Sequence, residues 1–327
     1  MSNAQLALPG LLPDASFEWV WRDDLDEGTG LRRFEHTTVM REEVVRAIAP
    51  RPGGVYVDAT LGAGGHTVAL LEAAPGARII AFDRDPIAVE AASDLLTPVA
   101  DRVTVVRAEF SRVREVLDSL GVERADGLVA DLGVSSPQID SADRGMSFQR
   151  EGPIDMRMDP ESPETALHLI ARLTDDELAN VIYQYGEERR SRRIARSIRK
   201  SLAAGELRTT LDLRRSIVRA VGPARVGGID PATRTFQALR IAVNREQDEL
   251  ASLLDALPTV VEPGAVVVFL SFHSMEDRLV KRQFATAHWE PLTKKPLPPT
   301  EEEVARNPRA RSAKLRAAKR VLPEEPL

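Results

Sequence analysis

The residues best suited to chemistry stand at the ends of apolar runs. Gly54-Val-Tyr-Val-Asp58 leads into Leu61-Gly-Ala-Gly-Gly-His66 and then a helical stretch, Thr67 to Ala74. The next apolar run, Arg78-Ile-Ile-Ala-Phe-Asp83, ends in a second acid. Strand, Gly-rich loop, helix, strand and acid is the order of a nucleotide-binding unit. Glycines let the backbone approach a ligand closely, and the helix N-terminus offers free N–H groups. Asp83 follows Gly62 by 21 residues. That is close to the ~20 expected for a carboxylate accepting the hydroxyls of an adenosine ribose. A tight turn with no ligand is the plain alternative. The dinucleotide pattern needs a third glycine where Thr67 stands, and no Gly-Lys-Ser/Thr of a P-loop is present. The looser loop after Asp58 suits S-adenosylmethionine, which has no phosphate and carries a sulfonium and an amino-acid end. Phe110, after the third apolar run, falls where a side chain would stack on adenine; a core aromatic reads equally well.

A third acid-tipped run, Asp126 to Asp131, opens the loop Asp131-Leu-Gly-Val-Ser-Ser-Pro-Gln138. Its acid-loop-proline pattern resembles that of enzymes methylating exocyclic amino groups of bases. Such a nitrogen has its lone pair delocalised into the ring. Acceptors on its N–H bonds can hold it in line with a methyl group. Asp131 and Ser136 are the candidate catalytic residues. An ordinary Ser/Pro turn is the competing reading. The chain has no cysteine, so the usual thiolate route to cytosine C5 is closed.

These loops require a sheet to hold them. Met40 to Ile48, Thr67 to Ala74, Asp85 to Leu96 and a stretch capped by Ser111 read as helices between four strands. Asp85-Pro86 is a cap followed by an N1 proline. The alternation then stops for about a hundred residues. Thr174 to Glu177 is a capping box, and three helices follow. Phe236 to Leu257 steps at helical intervals, and Ala265 to Leu270 is a purely apolar, hence central, strand. The Pro- and charge-rich tail from Trp289 is expected to hold two short strands. The expected fold is α/β: a doubly wound parallel sheet with an inserted all-helical domain. The expected organisation is an acidic, flexible extension over 1–34, a sheet domain over 35–139 and 233–327, and a helical insertion over 140–232.

At 327 residues the chain is long enough for about two domains and a large core. No run of about 18 apolar residues predicts a membrane span, and no basic-then-apolar N-terminus predicts a secretory signal. A cytoplasmic location is expected. The five histidines lack paired ligand spacing, so no metal is expected. Net charge is −6, yet twelve basic residues face four acidic ones between Gly186 and Arg225. Seven basic and no acidic residues lie between Arg306 and Arg320. Two basic segments on a balanced body fit contact with a polyanion; solvated helix faces fit as well.

Six motifs appear in order. They are Asp58-Ala-Thr-Leu-Gly-Ala-Gly-Gly-His66, Asp131-Leu-Gly-Val-Ser-Ser-Pro-Gln138, Pro153-Ile-Asp-Met-Arg-Met-Asp159, Thr235-Phe-Gln-Ala-Leu-Arg-Ile-Ala-Val-Asn-Arg245, Ser271-Phe-His-Ser-Met-Glu-Asp-Arg278 and Asn307-Pro-Arg-Ala-Arg-Ser-Ala-Lys-Leu-Arg316. Together, over about residues 35–320, they resemble the bacterial ribosomal RNA small subunit methyltransferase H family. The resemblance implies a class I S-adenosylmethionine-dependent methyltransferase fold. It implies methylation of N4 of a cytidine in the decoding region of 16S rRNA, within the small ribosomal subunit. Carried over by motif, the donor is held by Gly64, Gly65, His66, Asp83, Phe110, Asp131 and Gln138. Met146 departs from the resembled family, which usually has Phe there.

Other residues have two readings. Asp155, Arg157 and Asp159 grip RNA or bridge the insertion to the sheet, with bridging favoured. His273 is a structural histidine or a base contact. Glu276, Asp277 and Arg278 are a helix-start cluster. Arg309, Arg311 and Lys314 are expected on phosphates, given the local charge. A non-catalytic RNA-binding assembly factor is the alternative function; Thr67 counts against a dehydrogenase.

Overall fold

The architecture comes from a computed structural model, which describes residues 38–223 and 230–322, with Ser136 and Pro137 described by backbone alone. The extension expected over 1–34 lies outside the described residues. Helix α1 (Arg41–Ile48) precedes β1 (Val55–Asp58), α2 (Gly65–Ala73), β2 (Arg78–Asp83), α3 (Pro86–Leu96), β3 (Val103–Arg107), α4 (Val113–Ser119) and β4 (Ala125–Asp131). Asp85 caps α3 by accepting from the Ile87 N–H, and Pro86 fills the first helical position, where no N–H is needed.

After β4 the chain becomes helical. It runs through α5 (Ser136–Asp140), α6 (Ala166–Arg172), α7 (Asp175–Gly186), α8 (Ser191–Ala203), α9 (Thr210–Val221), α10 (Thr233–Asn244) and α11 (Glu246–Val260). The Thr174/Glu177 capping box starts α7. The helical run from 233 to 260 is broken at Arg245, whose φ of 52° ends α10 and lets α11 leave in a new direction. The sheet then resumes with β5 (Val261–Ser271), α12 (Ser274–Gln283), β6 (Trp289–Pro291), α13 (Glu301–Arg306) and β7 (Lys314–Arg320).

The strand order is β3-β2-β1-β4-β5-β7-β6. The first five strands are parallel, and β7 enters antiparallel between β5 and β6. The order reverses between β1 and β4, where such sheets open a crevice at their carboxyl ends. Asp58, Asp83 and Asp131 terminate β1, β2 and β4 at that edge.

Each face of the sheet has its own apolar core. Leu117, Leu253 and Leu257 lie in the cluster of one face, with Phe82 and Phe269 of the sheet. Val44, Leu70 and Ala92 lie in the other, with Tyr56 and Ile79. A third cluster joins Ile154, Ile182, Ile194 and Ile217 to Phe236 and Leu239 of α10. Phe148 meets Phe236 edge-on there, with centroids 5.1 Å apart.

Candidate active site

The Gly-rich loop is shaped by hydrogen bonds to the strand ends. Leu61 N–H donates to the Phe82 carbonyl at 2.7 Å, and Gly62 N–H to Asp83 Oδ2 at 2.9 Å. Gly64 caps α2 at φ 86°, a left-handed conformation that favours glycine, and offers no capping side chain. A Cβ at Gly65 would stand 1.8 Å from Thr38 Oγ1. The first N–H groups of α2 therefore face the loop without a side-chain cap. Asp83 is half-buried and also accepts from the Asp85 N–H at 2.9 Å. Burial pushes its carboxyl up to about 6, against those two donors. The Phe110 ring is half-buried and packs against the first core cluster.

Asp58 is fully buried, and burial pushes its carboxyl above the ordinary range. Thr67 Oγ1 donates to it at 2.7 Å and the Thr60 N–H at 3.1 Å. Thr67, which breaks the dinucleotide pattern, thus ties α2 to β1. Beside it His66 is buried, with Nε2 3.6 Å from Asp131 Oδ2. Both His66 nitrogens, Asp131 Oδ1 and Ser135 Oγ are buried without a hydrogen-bond partner among the described residues. Gly133 turns the loop at φ 114°. The Ser136 side chain lies outside the described residues.

Gln138 is buried and held at both ends of its amide. Its Oε1 accepts from the Ser135 N–H at 3.0 Å, and its Nε2 donates to Asp85 Oδ2 at 2.7 Å. Arg144 reaches the same carboxylate and also donates to the Arg157 and Met158 carbonyls, at 2.9 and 2.7 Å. Asn244 pins that segment through the Met156 carbonyl and the Met158 N–H, both at 2.7 Å. Arg157 is spent on Asp155 and on the Pro160 and Ser162 carbonyls. Burial works against the Asp155 charge, but the Arg157 hydrogen bonds hold its carboxyl below the ordinary value. Asp159 accepts from Arg107 of β3 at 3.1 Å and so joins the segment to the sheet. Met146 is half-buried against the third core cluster. Arg144, Asp85 and Asn244 escaped the sequence reading as site-forming residues. Asn244 and Arg144 sit inside quoted motifs or beside them, but their partners are far off in sequence.

At the same edge, Lys314 pairs with Ser271, the last residue of β5, because β7 runs antiparallel. Arg309 and Arg311 are exposed, and Arg309 donates to Asp140 of α5 at 2.6 Å. The rest of the basic tail is partly structural. Arg316 is buried on Asp277 at 2.7 Å, and Arg320 on the Val261 carbonyl. His273 caps α12, and its Nε2 lies 2.9 Å from Glu276 Oε1. Glu246, His273 and Glu276 bring three ligand-type atoms within 4.8 Å of one another. Arg240, however, already grips Glu246 with two N–H bonds, at 2.7 and 2.8 Å.

The MraW methylase family profile matches residues 33–321. Ribosomal RNA small subunit methyltransferase H of Sorangium cellulosum is 60% identical over 291 residues, covering 89% of this chain and 92% of that protein. The chain belongs to the MraW methylase family. The protein of the same name from Synechococcus elongatus is 47% identical over 293 residues, covering 89% and 96%. Among solved structures, a SAM-dependent O-methyltransferase from Thermotoga maritima aligns with 90% of this chain and 70% of its own. Its TM-score is 0.43 and its identity 10%. S-adenosylmethionine is the methyl donor of this methylase, and the crevice fits it. The uncapped start of α2 suits a carboxylate, Asp83 suits ribose hydroxyls, and the unpartnered atoms of His66, Asp131 and Ser135 call for a polar ligand. Among the described residues, no helix is long and apolar enough to cross a membrane.

Proposed function

We propose that this methylase transfers a methyl group from S-adenosylmethionine to the exocyclic N4 of a cytidine in the decoding region of 16S rRNA, acting on the small ribosomal subunit in the cytoplasm. The observation that carries the reading is Asp131 Oδ1, buried at the switch point without a partner among the described residues, beside His66 and the Gly-rich loop. An amine N–H donated to that oxygen turns the N4 nitrogen toward the donor methyl. In the step, a sulfonium C–S bond breaks, an N–C bond forms, and the sulfur leaves as a neutral thioether. The methylated nitrogen carries the positive charge and becomes acidic, so its proton passes to Asp131 or to water without a strong base. Direct in-line transfer needs no covalent intermediate, in keeping with a chain that has no cysteine.

In this reading Gly64, Gly65 and His66 border the amino-acid end of the donor and Asp83 the ribose. Phe110 lies along the adenine. Gln138 keeps the Asp131 loop against Asp85, and Ser136 adds a second acceptor for the amine. Arg309, Arg311 and Lys314 hold RNA phosphates at the catalytic edge, and the 140–232 insertion serves as a helical unit beside the crevice.

The test is tritium transfer from labelled donor to small subunits and to naked 16S rRNA, followed by nucleoside mass spectrometry. N4-methylcytidine is expected. A methyl group on another atom would overturn the specificity. RNA binding without transfer would favour a non-catalytic assembly factor.

A further inference from the structure

Several exposed groups outside the crevice have no task in the reading above. The segments that carry them are joined by one ion pair. Glu187, the residue that ends α7, lies 3.1 Å from Arg278 of α12. Glu187 adopts φ 50°, a left-handed conformation that disfavours a non-glycine residue. Its carbonyl accepts from Arg234 of α10 at 3.3 Å. The turn between α7 and α8 is thus fixed to α12 at a defined point.

Side chains follow from that point along three helix faces. Tyr183 stands one turn before Glu187 on α7 and is 58% exposed. Lys281 and Arg282 stand three and four residues beyond Arg278, on its face of α12, where such neighbours lie about 5–6 Å apart between Cβ atoms. Arg192 and Arg193 open α8, whose opposite face is locked inward by Ile194, Ala195 and Ile198. All four cations are exposed, and none has a carboxylate partner among the described residues. Glu187 and Glu188 are taken by Arg278 and Arg190.

Exposed cations without carboxylate partners, carried on segments joined at the Glu187–Arg278 pair, favour a polyanion. An exposed tyrosine one turn before the same ion pair narrows the choice. A duplex keeps its bases stacked inside, whereas a single strand offers base faces to an aromatic ring. We propose that the α7–α8 turn and α12 form a second RNA-binding surface, where Tyr183 stacks on an unpaired base and Arg192, Arg193, Lys281 and Arg282 hold the flanking phosphates of a single-stranded rRNA segment. This proposal rests on the rRNA reading.

The test uses the full chain and five variants: Tyr183→Ala, the pair Arg192→Gln/Arg193→Gln, its conservative counterpart Arg192→Lys/Arg193→Lys, the pair Lys281→Gln/Arg282→Gln, and Lys294→Gln/Lys295→Gln as a charge-matched control. Binding to naked small-subunit rRNA is measured across a salt series, with donor affinity, melting and the KM and kcat for RNA. Each basic pair should lower the log–log salt slope by about 1.4, for two lost contacts on single-stranded RNA. Tyr183→Ala should weaken binding roughly five-fold or more with the slope unchanged, and should not affect a fully paired RNA of equal length. KM should rise while kcat, donor affinity and melting hold. Arg192→Lys/Arg193→Lys should retain binding, which separates lost charge from any misfolding of the Gln pair. Three surface variants binding like the control would overturn the surface and leave the rRNA reading standing. Equal loss on paired RNA would overturn the stacking role. A wild-type chain that neither binds nor methylates small-subunit RNA would remove both.

Discussion

Arg144 donates to the buried Asp85 carboxylate at 3.0 Å, and through that one acid it joins three segments of the methylase. Asp85 caps α3 just after β2, Gln138 brings the Asp131 loop to it, and Arg144 brings the segment around Met158.

Removing Arg144 leaves Asp85 charged, buried and short of a counter-ion. Arg144→Ala should destabilise the fold by about 3–5 kcal/mol, the usual cost of breaking one side of a buried pair. Urea unfolding measures it. An unchanged midpoint at unchanged slope would show that water replaces the guanidinium.

Asp83 gives a second prediction, with a sign that follows from its environment. Asp83→Ala should weaken donor binding roughly ten- to hundred-fold, with the fold intact. In the folded protein this carboxyl titrates near 6 rather than 3.8, because burial disfavours its charge. It is protonated below that pH and accepts ribose hydroxyls best when ionised. Donor affinity should therefore rise from pH 5 to pH 7 and level off, and binding near pH 6 should release protons. Isothermal titration in two buffers of different ionisation heat reads both effects. In Asp83→Asn the step near pH 6 should vanish.

Asp131→Asn keeps the shape of the side chain and replaces one acceptor oxygen with a donor. Single-turnover methyl transfer should fall by about 10²-fold, on the scale of losing one preorganised hydrogen bond to the reacting group. Donor affinity should change by much less. Equal losses in both would assign Asp131 to donor binding alone.

The tail variant Arg309→Ala/Arg311→Ala/Lys314→Ala should weaken RNA binding and lower its salt slope by about 0.7–0.9 per lost phosphate contact. Melting and donor affinity should hold, since Arg316 and Arg320, the buried basic residues of β7, are untouched. Lower melting together with lost donor binding would assign the three side chains to folding.

Much of the crevice was legible because its signals are local. β2, ending at Asp83, and the Asp85-Pro86 start of α3 are spelled by adjacent residues, and both stand as read. The strand β7 was not legible as a buried one, since Lys-Leu-Arg-Ala-Ala-Lys-Arg reads as surface charge. Its arginines are buried only because Asp277 and the Val261 carbonyl, distant in sequence, receive them. β5 begins at Val261, before Glu262-Pro263-Gly264 interrupts the apolar run, and its register against β4 shifts between Ala125 and Gly127. The break at Arg245 rests on a positive φ that no glycine announced. Gln138 was legible as part of a motif, but its hold on Asp85 depends on a contact 53 residues away.

β4 and β5 are sheet neighbours, with Asp131 opposite Leu270, yet the chain between them runs for about 130 residues. Pairing them carries a large loop-closure cost, and contacts of such long range slow folding. The order of events in refolding is thereby biased. The half-sheet β1 to β4 pairs through short connections, and the helices from α6 to α10 can collapse on their own apolar cluster. The seam between Asp131 and β5 is expected to close last, and the crevice edge with it. Pulse-labelled hydrogen exchange should find the β4–β5 amides protected later than those between β1 and β2. In thermal unfolding the seam should be the first to open, so activity should be lost before most of the helical signal.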